Sequence, residues 1–189
     1  MVNNPNIFNT KTTEMVKCRF RFVWLLILTF LVCNITFAQD ISERYISKTV
    51  GNDNVFFIKP HEIPAMKTNG IKNPLLGDFT ISSENDSVAF LFTVYSKTPI
   101  IVERIKIQCY ERIIYSSPTE KLFIVTEKNL YKGRYRCYLS KEGFKNLYSI
   151  DLPFVINLDK DMKFEFKKRK WYKEKQIITD IIKLIEINQ

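Results

Sequence analysis

Between Phe79 and Ser140 the apolar side chains either alternate with polar ones or run unbroken for about the length of one strand, and that pattern most constrains the fold. Val88-Ala89-Phe90-Leu91-Phe92-Thr93-Val94-Tyr95 is apolar on both faces, as in a central strand covered on both sides. Ile100 to Tyr115 alternates over a length unusual for one strand, which predicts a bend or bulge near Cys109–Arg112. Leu122–Thr126 and Gly133–Ser140 continue the series around a turn at Lys128–Gly133. Further strands are expected at Val55–Ile58, Phe79–Ser82, Tyr148–Ile156 and Met162–Phe166. Helical periods are missing between these runs, so a parallel α/β sheet is not expected. The pattern predicts a mainly β chain, a single antiparallel β-sandwich or open barrel.

The front of the chain follows a different rule. Lys17, Arg19 and Arg21 precede the uncharged run Phe22–Ala38, the build of a secretory signal peptide, and Thr36-Phe37-Ala38 supplies a cleavage site before Gln39. Residues 1–38 are therefore expected to leave. Retention of the run as an anchor is the alternative, although it falls short of the ~20 apolar residues that a spanning helix uses. A lipoprotein reading centred on Cys33 is disfavoured by Val32 before it. The exported domain is then 39–189, secreted or held in the periplasm or cell envelope, with no membrane span once the signal is cleaved. It is long enough to bury a hydrophobic core. Asn85-Asp86-Ser87 would accept a glycan in a eukaryote, whereas abundant Ile, Lys and Asn suit an AT-rich bacterial genome.

Cleavage also removes Cys18 and Cys33, and leaves Cys109 and Cys137. An even pair in an exported chain predicts one disulfide, and both residues fall on the apolar phase of their strands.

The C-terminal end departs from the strand pattern. Ile178, Ile181, Ile182 and Ile185 form one stripe opposite Lys173, Gln176, Asp180 and Lys183, which predicts an amphipathic helix over 172–187 packed on the sheet. A last strand remains the alternative, since Ile185-Glu186-Ile187 also alternates.

The formal net charge is +9, and it falls to +6 when the four basic and one acidic residues of positions 1–38 are removed. Eight basic and three acidic residues within 160–175 carry nearly all of that excess. The segment contains Lys167, Lys168, Arg169, Lys170, Trp171 and Tyr172, a basic-aromatic run that would attract an anionic glycan or lipid surface. A solvated turn collects lysines too. Export makes nucleic acid an unexpected partner, and an unknown protein or an anionic envelope component the expected one.

Chemistry is indicated mostly by what is missing. His61 is the single histidine, so two-histidine zinc motifs are excluded by counting, and no metal or other cofactor is expected. Lys59-Pro60-His61-Glu62-Ile63-Pro64 reads as an irregular loop with His61 solvated. No nucleophile elbow, phosphate loop or dinucleotide fingerprint occurs. Carboxylate pairs need no linear motif, so a hydrolase of that kind stays as the minor alternative. Glu103 and Glu111 would be ~26 Å apart on an extended strand, and Asp159 and Asp161 suit a turn. No catalytic residue is assigned.

Gly133-Arg134-Tyr135-Arg136-Cys137 resembles the Gly-Xaa-Tyr-Xaa-Cys segment of immunoglobulin domains. The likeness covers five residues. Cys109 lies closer to Cys137 than that pattern requires, and no Trp follows it before Trp171, so the likeness is that of a generic β-protein and assigns no family. The sequence as a whole points to an exported, non-enzymatic β-domain that binds a partner or holds a place in the cell envelope.

Overall fold

The computed structural model describes residues 41–66, 73–159 and 162–187, and from Glu43 onward the chain forms one compact unit. The segment expected to be a signal peptide lies outside the described residues, as do Lys160 and Asp161. The chain is mainly β, with two antiparallel sheets and a C-terminal helix.

Four of the strands come first: β1 (Tyr45–Val50), β2 (Asp53–Ile63), β3 (Leu75–Ser82) and β4 (Ser87–Ser96). Next are β5 (Arg104–Cys109), β6 (Arg112–Pro118), β7 (Glu120–Glu127), β8 (Leu130–Ser140) and helix α1 (Lys141–Ser149). Short strands β9 (Val155–Leu158) and β10 (Met162–Glu165) precede the long helix α2 (Lys168–Ile187). The larger sheet has the order β1-β2-β3-β4-β8-β7, and the smaller has β10-β9-β5-β6. Neither sheet closes into a barrel. They are joined where β2 runs on past Ile63, because the Met66 N–H donates to the Lys163 carbonyl and the Glu165 N–H to the Pro64 carbonyl. This contact also covers the free edge of β10.

Turn residues explain the hairpins. Lys128 and Asn129 both take positive φ, the conformation that a two-residue turn between twisted antiparallel strands requires, and Glu127 faces Leu130 across it. Gly51 supplies the positive φ between β1 and β2. Tyr110 does so between β5 and β6, so the long alternating run is a hairpin and not one bent strand.

The larger sheet turns one face to the core. Phe79, Phe90, Phe92 and Tyr135 stack in sequence across β3, β4 and β8, and Phe79 continues into Phe144 and Tyr148 of α1. Tyr148 in turn stacks on Trp171 of α2 at 5.6 Å. Phe154 and Phe166, which flank the β9–β10 hairpin, complete the cluster against Trp171. Each such ring buries a large apolar area, and offset or edge contacts add about 0.5–1.5 kcal/mol per pair beyond that burial.

The C-terminal stripe forms a helix, as its period predicts. It begins at Lys168, earlier than expected, and buries Trp171, Ile178, Ile181 and Ile185 along one side. Helix α1 takes Tyr148 and Ser149 of the strand expected at Tyr148–Ile156, and only Val155 and Ile156 of it enter β9. Ser140 caps the helix by accepting from the Gly143 N–H at 2.9 Å, and Phe144, Leu147 and Tyr148 supply its apolar side.

The expected disulfide is not formed. Cys109 and Cys137 are both free thiols. Cys109 ends β5 of the smaller sheet, half-buried beside the hairpin turn, whereas Cys137 lies in β8 of the larger sheet. The Cys137 thiol is met by the Tyr115 hydroxyl, and burial pushes it up to about 12. Sharing the apolar phase of two strands did not place the residues opposite each other, because the strands belong to different sheets.

Candidate functional site: the open face of the larger sheet

Alternation sends half of the side chains of the larger sheet away from the core, and registers identify the rows they form. Ile46, Phe57, Thr80, Ala89 and Tyr138 make one row across β1, β2, β3, β4 and β8. Asp78, Leu91, Arg136 and Glu120 make the next. Leu76, Thr93, Arg134 and Phe123 follow, and then Tyr95, Lys132 and Val125. Among the described residues no element covers this face. Phe57, Phe123, Val125 and Tyr138 are 41–50% exposed, a density of apolar and aromatic surface that a solvated sheet face does not need.

Ion pairs hold the charges of this face in place. The Arg134 guanidinium donates to both carboxylate oxygens of Asp78, at 2.9 and 2.7 Å, and to the Thr93 hydroxyl at 2.9 Å. This contact spans from β8 to β3 across β4. Burial raises the Asp78 carboxyl above its ordinary value although Arg134 opposes the shift. Arg136 pairs with Glu120 at 2.7 Å and lies over the Tyr138 ring at 5.4 Å. Lys132 pairs with Glu127 at 3.0 Å and approaches the Tyr95 ring. Bound in these pairs, the cations stay flat on the face and frame the aromatic rings.

At one end of the face a cleft of about 310 Å³ opens between Leu76, Tyr95 and the β7–β8 turn, with Glu62, Glu127 and Lys128 at its walls. Its size suits a small ligand or a side chain of a partner.

Of the residues singled out by sequence, some stay exposed and some are drawn inward. Lys167, Lys168 and Arg169 are exposed where α2 begins, and Tyr172 is 45% exposed. Lys170 is drawn back, its ammonium donating to the Glu62 carbonyl at 2.9 Å. Trp171 is fully buried in the aromatic core and cannot stack on a ligand. The basic-aromatic run is thus a cluster of cations beside one tyrosine. Lys175 is engaged with Asp151 at 2.7 Å.

His61 is not solvated. A bulge between Ile58 and His61 places Lys59 and Pro60 outward and returns His61 to the core, where it stacks between Phe79 and Phe166 at 5.9 and 5.7 Å. No hydrogen bond of ordinary geometry reaches either ring nitrogen. Burial, with the charges of Arg44 and Lys170, holds it down to about 3, so it stays neutral. Enclosed in this way it cannot act as a base toward an outside substrate. Nearby, Glu174 of α2 is buried and accepts from Arg44. Neither partner of that pair was singled out by sequence.

Glu103 and Glu111 flank β5 at opposite ends. Asp159 accepts from the backbone N–H groups of Glu103 and Arg104. Asp161 lies outside the described residues. Among the described residues no three His, Cys, Asp or Glu side chains gather into a metal-binding group, and no helix is long and apolar enough to cross a membrane.

The chain matches no family model, no curated protein and no solved structure.

Proposed function

We propose that the chain is an exported, non-enzymatic binding module of the cell envelope or extracellular space, with an open sandwich-like β-domain that engages a protein partner through the outer face of its larger sheet. The single observation that carries this reading is the face itself, where Phe57, Tyr138, Phe123 and Val125 stay exposed around charges already fixed in pairs. Aromatic and arginine side chains set in a preorganised polar frame are the usual anchors of protein interfaces. Export is supported by the basic-then-apolar run before Gln39, and by a compact unit that begins just after it, at Glu43.

Attraction to an anionic glycan or lipid surface is the second reading. Lys167, Lys168 and Arg169 stand exposed at the N-terminal end of α2, whose first turn holds no acidic residue, so the helix dipole adds to their positive field.

Binding of the processed chain to washed envelopes of its own cells separates the two. The sheet-face reading predicts that Tyr138→Ser with Phe57→Ser removes binding and that Lys167→Gln, Lys168→Gln and Arg169→Gln together leave it intact. The opposite pattern, with steep weakening by salt, assigns binding to the basic cluster and overturns the first reading.

A further inference from the structure

We infer that the core of this domain contains a water-binding site where β2, α1 and α2 meet, with Arg44, His61, Tyr148 and Trp171 as its hydrogen-bonding walls; this goes beyond the binding reading and does not depend on it.

Among the described residues, five buried side-chain nitrogen and oxygen atoms have no hydrogen-bond partner in the protein: Nε of Arg44, both ring nitrogens of His61, the Tyr148 hydroxyl oxygen and Nε1 of Trp171. Burying such an atom unpaired is costly, and native cores contain few of them. Here all five belong to four side chains of one neighbourhood. His61 stacks on Phe166 at 5.7 Å, Phe166 packs against Trp171 at 5.7 Å, and Trp171 stacks on Tyr148 at 5.6 Å. Arg44 joins them through Glu174, which lies one turn beyond Trp171 on α2. The Arg44 carbonyl also accepts from the Lys59 N–H at 2.8 Å, beside the bulge that returns His61 to the core.

These polar groups stand near one another yet do not bond directly. Tyr148 is the clearest case. Burial pushes its phenol up, and the charges of Glu174 and Arg44 act on it with opposite signs, but its hydroxyl hydrogen-bonds to neither. The Arg44 charge also acts on His61, again without a hydrogen bond between the two. Polar groups held in each other's field but out of hydrogen-bond reach are the arrangement that an interposed water satisfies.

Charge and enclosure define the occupant. Arg44 is matched by Glu174 and His61 is neutral, so no buried charge there is left to call for an ion. The Arg44 Nε–H and the Trp171 indole N–H can only donate, the Tyr148 hydroxyl can do both, and neutral His61 offers one N–H and one lone pair. The occupant must therefore both accept and donate. His61, Tyr148 and Trp171 are 0–4% exposed, which limits it to a very small molecule that exchanges only when the core opens. Water meets all of these conditions, and globular proteins hold about one buried water per 27 residues, each making about three hydrogen bonds. Bound there, water ties the start of the domain and β2 to both helices.

A high-resolution crystal structure of the processed chain tests the inference. Ordered water should lie within hydrogen-bond distance of at least two of Arg44 Nε, the Tyr148 hydroxyl, Trp171 Nε1 and a ring nitrogen of His61. Oxygen-17 relaxation dispersion, which counts long-lived waters, tests it in solution. Tyr148→Phe with His61→Phe keeps both rings and removes their polar atoms, so this variant should lose at least one of the long-lived waters that the parent holds. Absence of water from these atoms in the crystal, whether they are then paired directly or not paired at all, overturns the inference. So does a folded double variant with the parent's count. Should the double variant fail to fold, the crystal structure of the parent decides alone.

Discussion

The Arg134 guanidinium grips both carboxylate oxygens of Asp78 across the width of β4, with each side chain 19% exposed. At that burial neither charge is fully solvated, and the Asp78 carboxyl is raised by desolvation even with its partner in place. Truncating one partner leaves the other poorly compensated. Asp78→Ala should therefore destabilise the fold by about 1–3 kcal/mol in urea unfolding. Asp78→Leu with Arg134→Met should recover most of that loss, because two matched apolar groups leave nothing unpaired. A double variant as unstable as the single one would show that the pair stabilises the sheet on its own account.

His61 makes stability depend on pH. Its folded value is held below the unfolded one of 6.5, to about 3, so the unfolded chain takes up a proton first as pH falls. Stability is complete above pH 6.5 and declines toward pH 3, with a limiting slope of about 1.4 kcal/mol per pH unit. Arg44 and Lys170 reinforce the effect, and Glu174 lies close to the same cluster through its contact with Arg44. His61→Phe keeps an aromatic ring between Phe79 and Phe166 and removes the proton. Unfolding measured from pH 6.5 to about pH 4.5, above the range of most carboxylates, should lose this slope in the variant. An equal slope in both proteins would place the titration elsewhere.

The thiols report on the two sheets separately. Cys109 is half-buried at a hairpin turn, while Cys137 is buried and its thiol is pushed up to about 12 by that burial. A thiol reagent at neutral pH should modify Cys109 in the native processed chain and reach Cys137 only after denaturation. Neither residue reacting in denaturant without reductant would mean that the two are bridged after all.

Trp171 is a core residue and should behave as one. Its emission in the processed chain should be blue-shifted, resistant to iodide and unchanged by anionic vesicles or sulfated glycans. Trp171→Ala should destabilise by about 3–5 kcal/mol. Quenching by a polyanion would return the ring to the surface.

Local pattern and long-range placement differed in how far they could be followed from the residues. Unbroken apolar runs located β4 and β7, period-two alternation located β8, and the Ile178–Ile185 stripe located α2. Helix α1 escaped because Gly143 and two lysines dilute a nine-residue pattern, although Ser140 and the Phe144, Leu147, Tyr148 spacing carried its signal. His61 escaped for a different reason. Pro60 reads as a strand breaker unless a bulge is foreseen, and the bulge depends on pairing with β3. Strand order was the information that local pattern lacked. It separates Cys109 from Cys137, and it brings Asp78 to Arg134 across an intervening strand. On β8, Arg134, Arg136 and Tyr138 alternate with the core residues Tyr135, Cys137 and Leu139, but the rest of the candidate face comes from β2, β3 and β7, which only strand order brings beside them.

Site-specific photo-cross-linking in the producing cells tests the central claim most directly. A photoreactive side chain at Tyr138, on the open face, and one at Lys183, on the exposed side of α2, sample opposite expectations. A discrete adduct with another protein is expected from position 138 and none from position 183. Adducts of equal yield from both positions, or from position 183 alone, would contradict it.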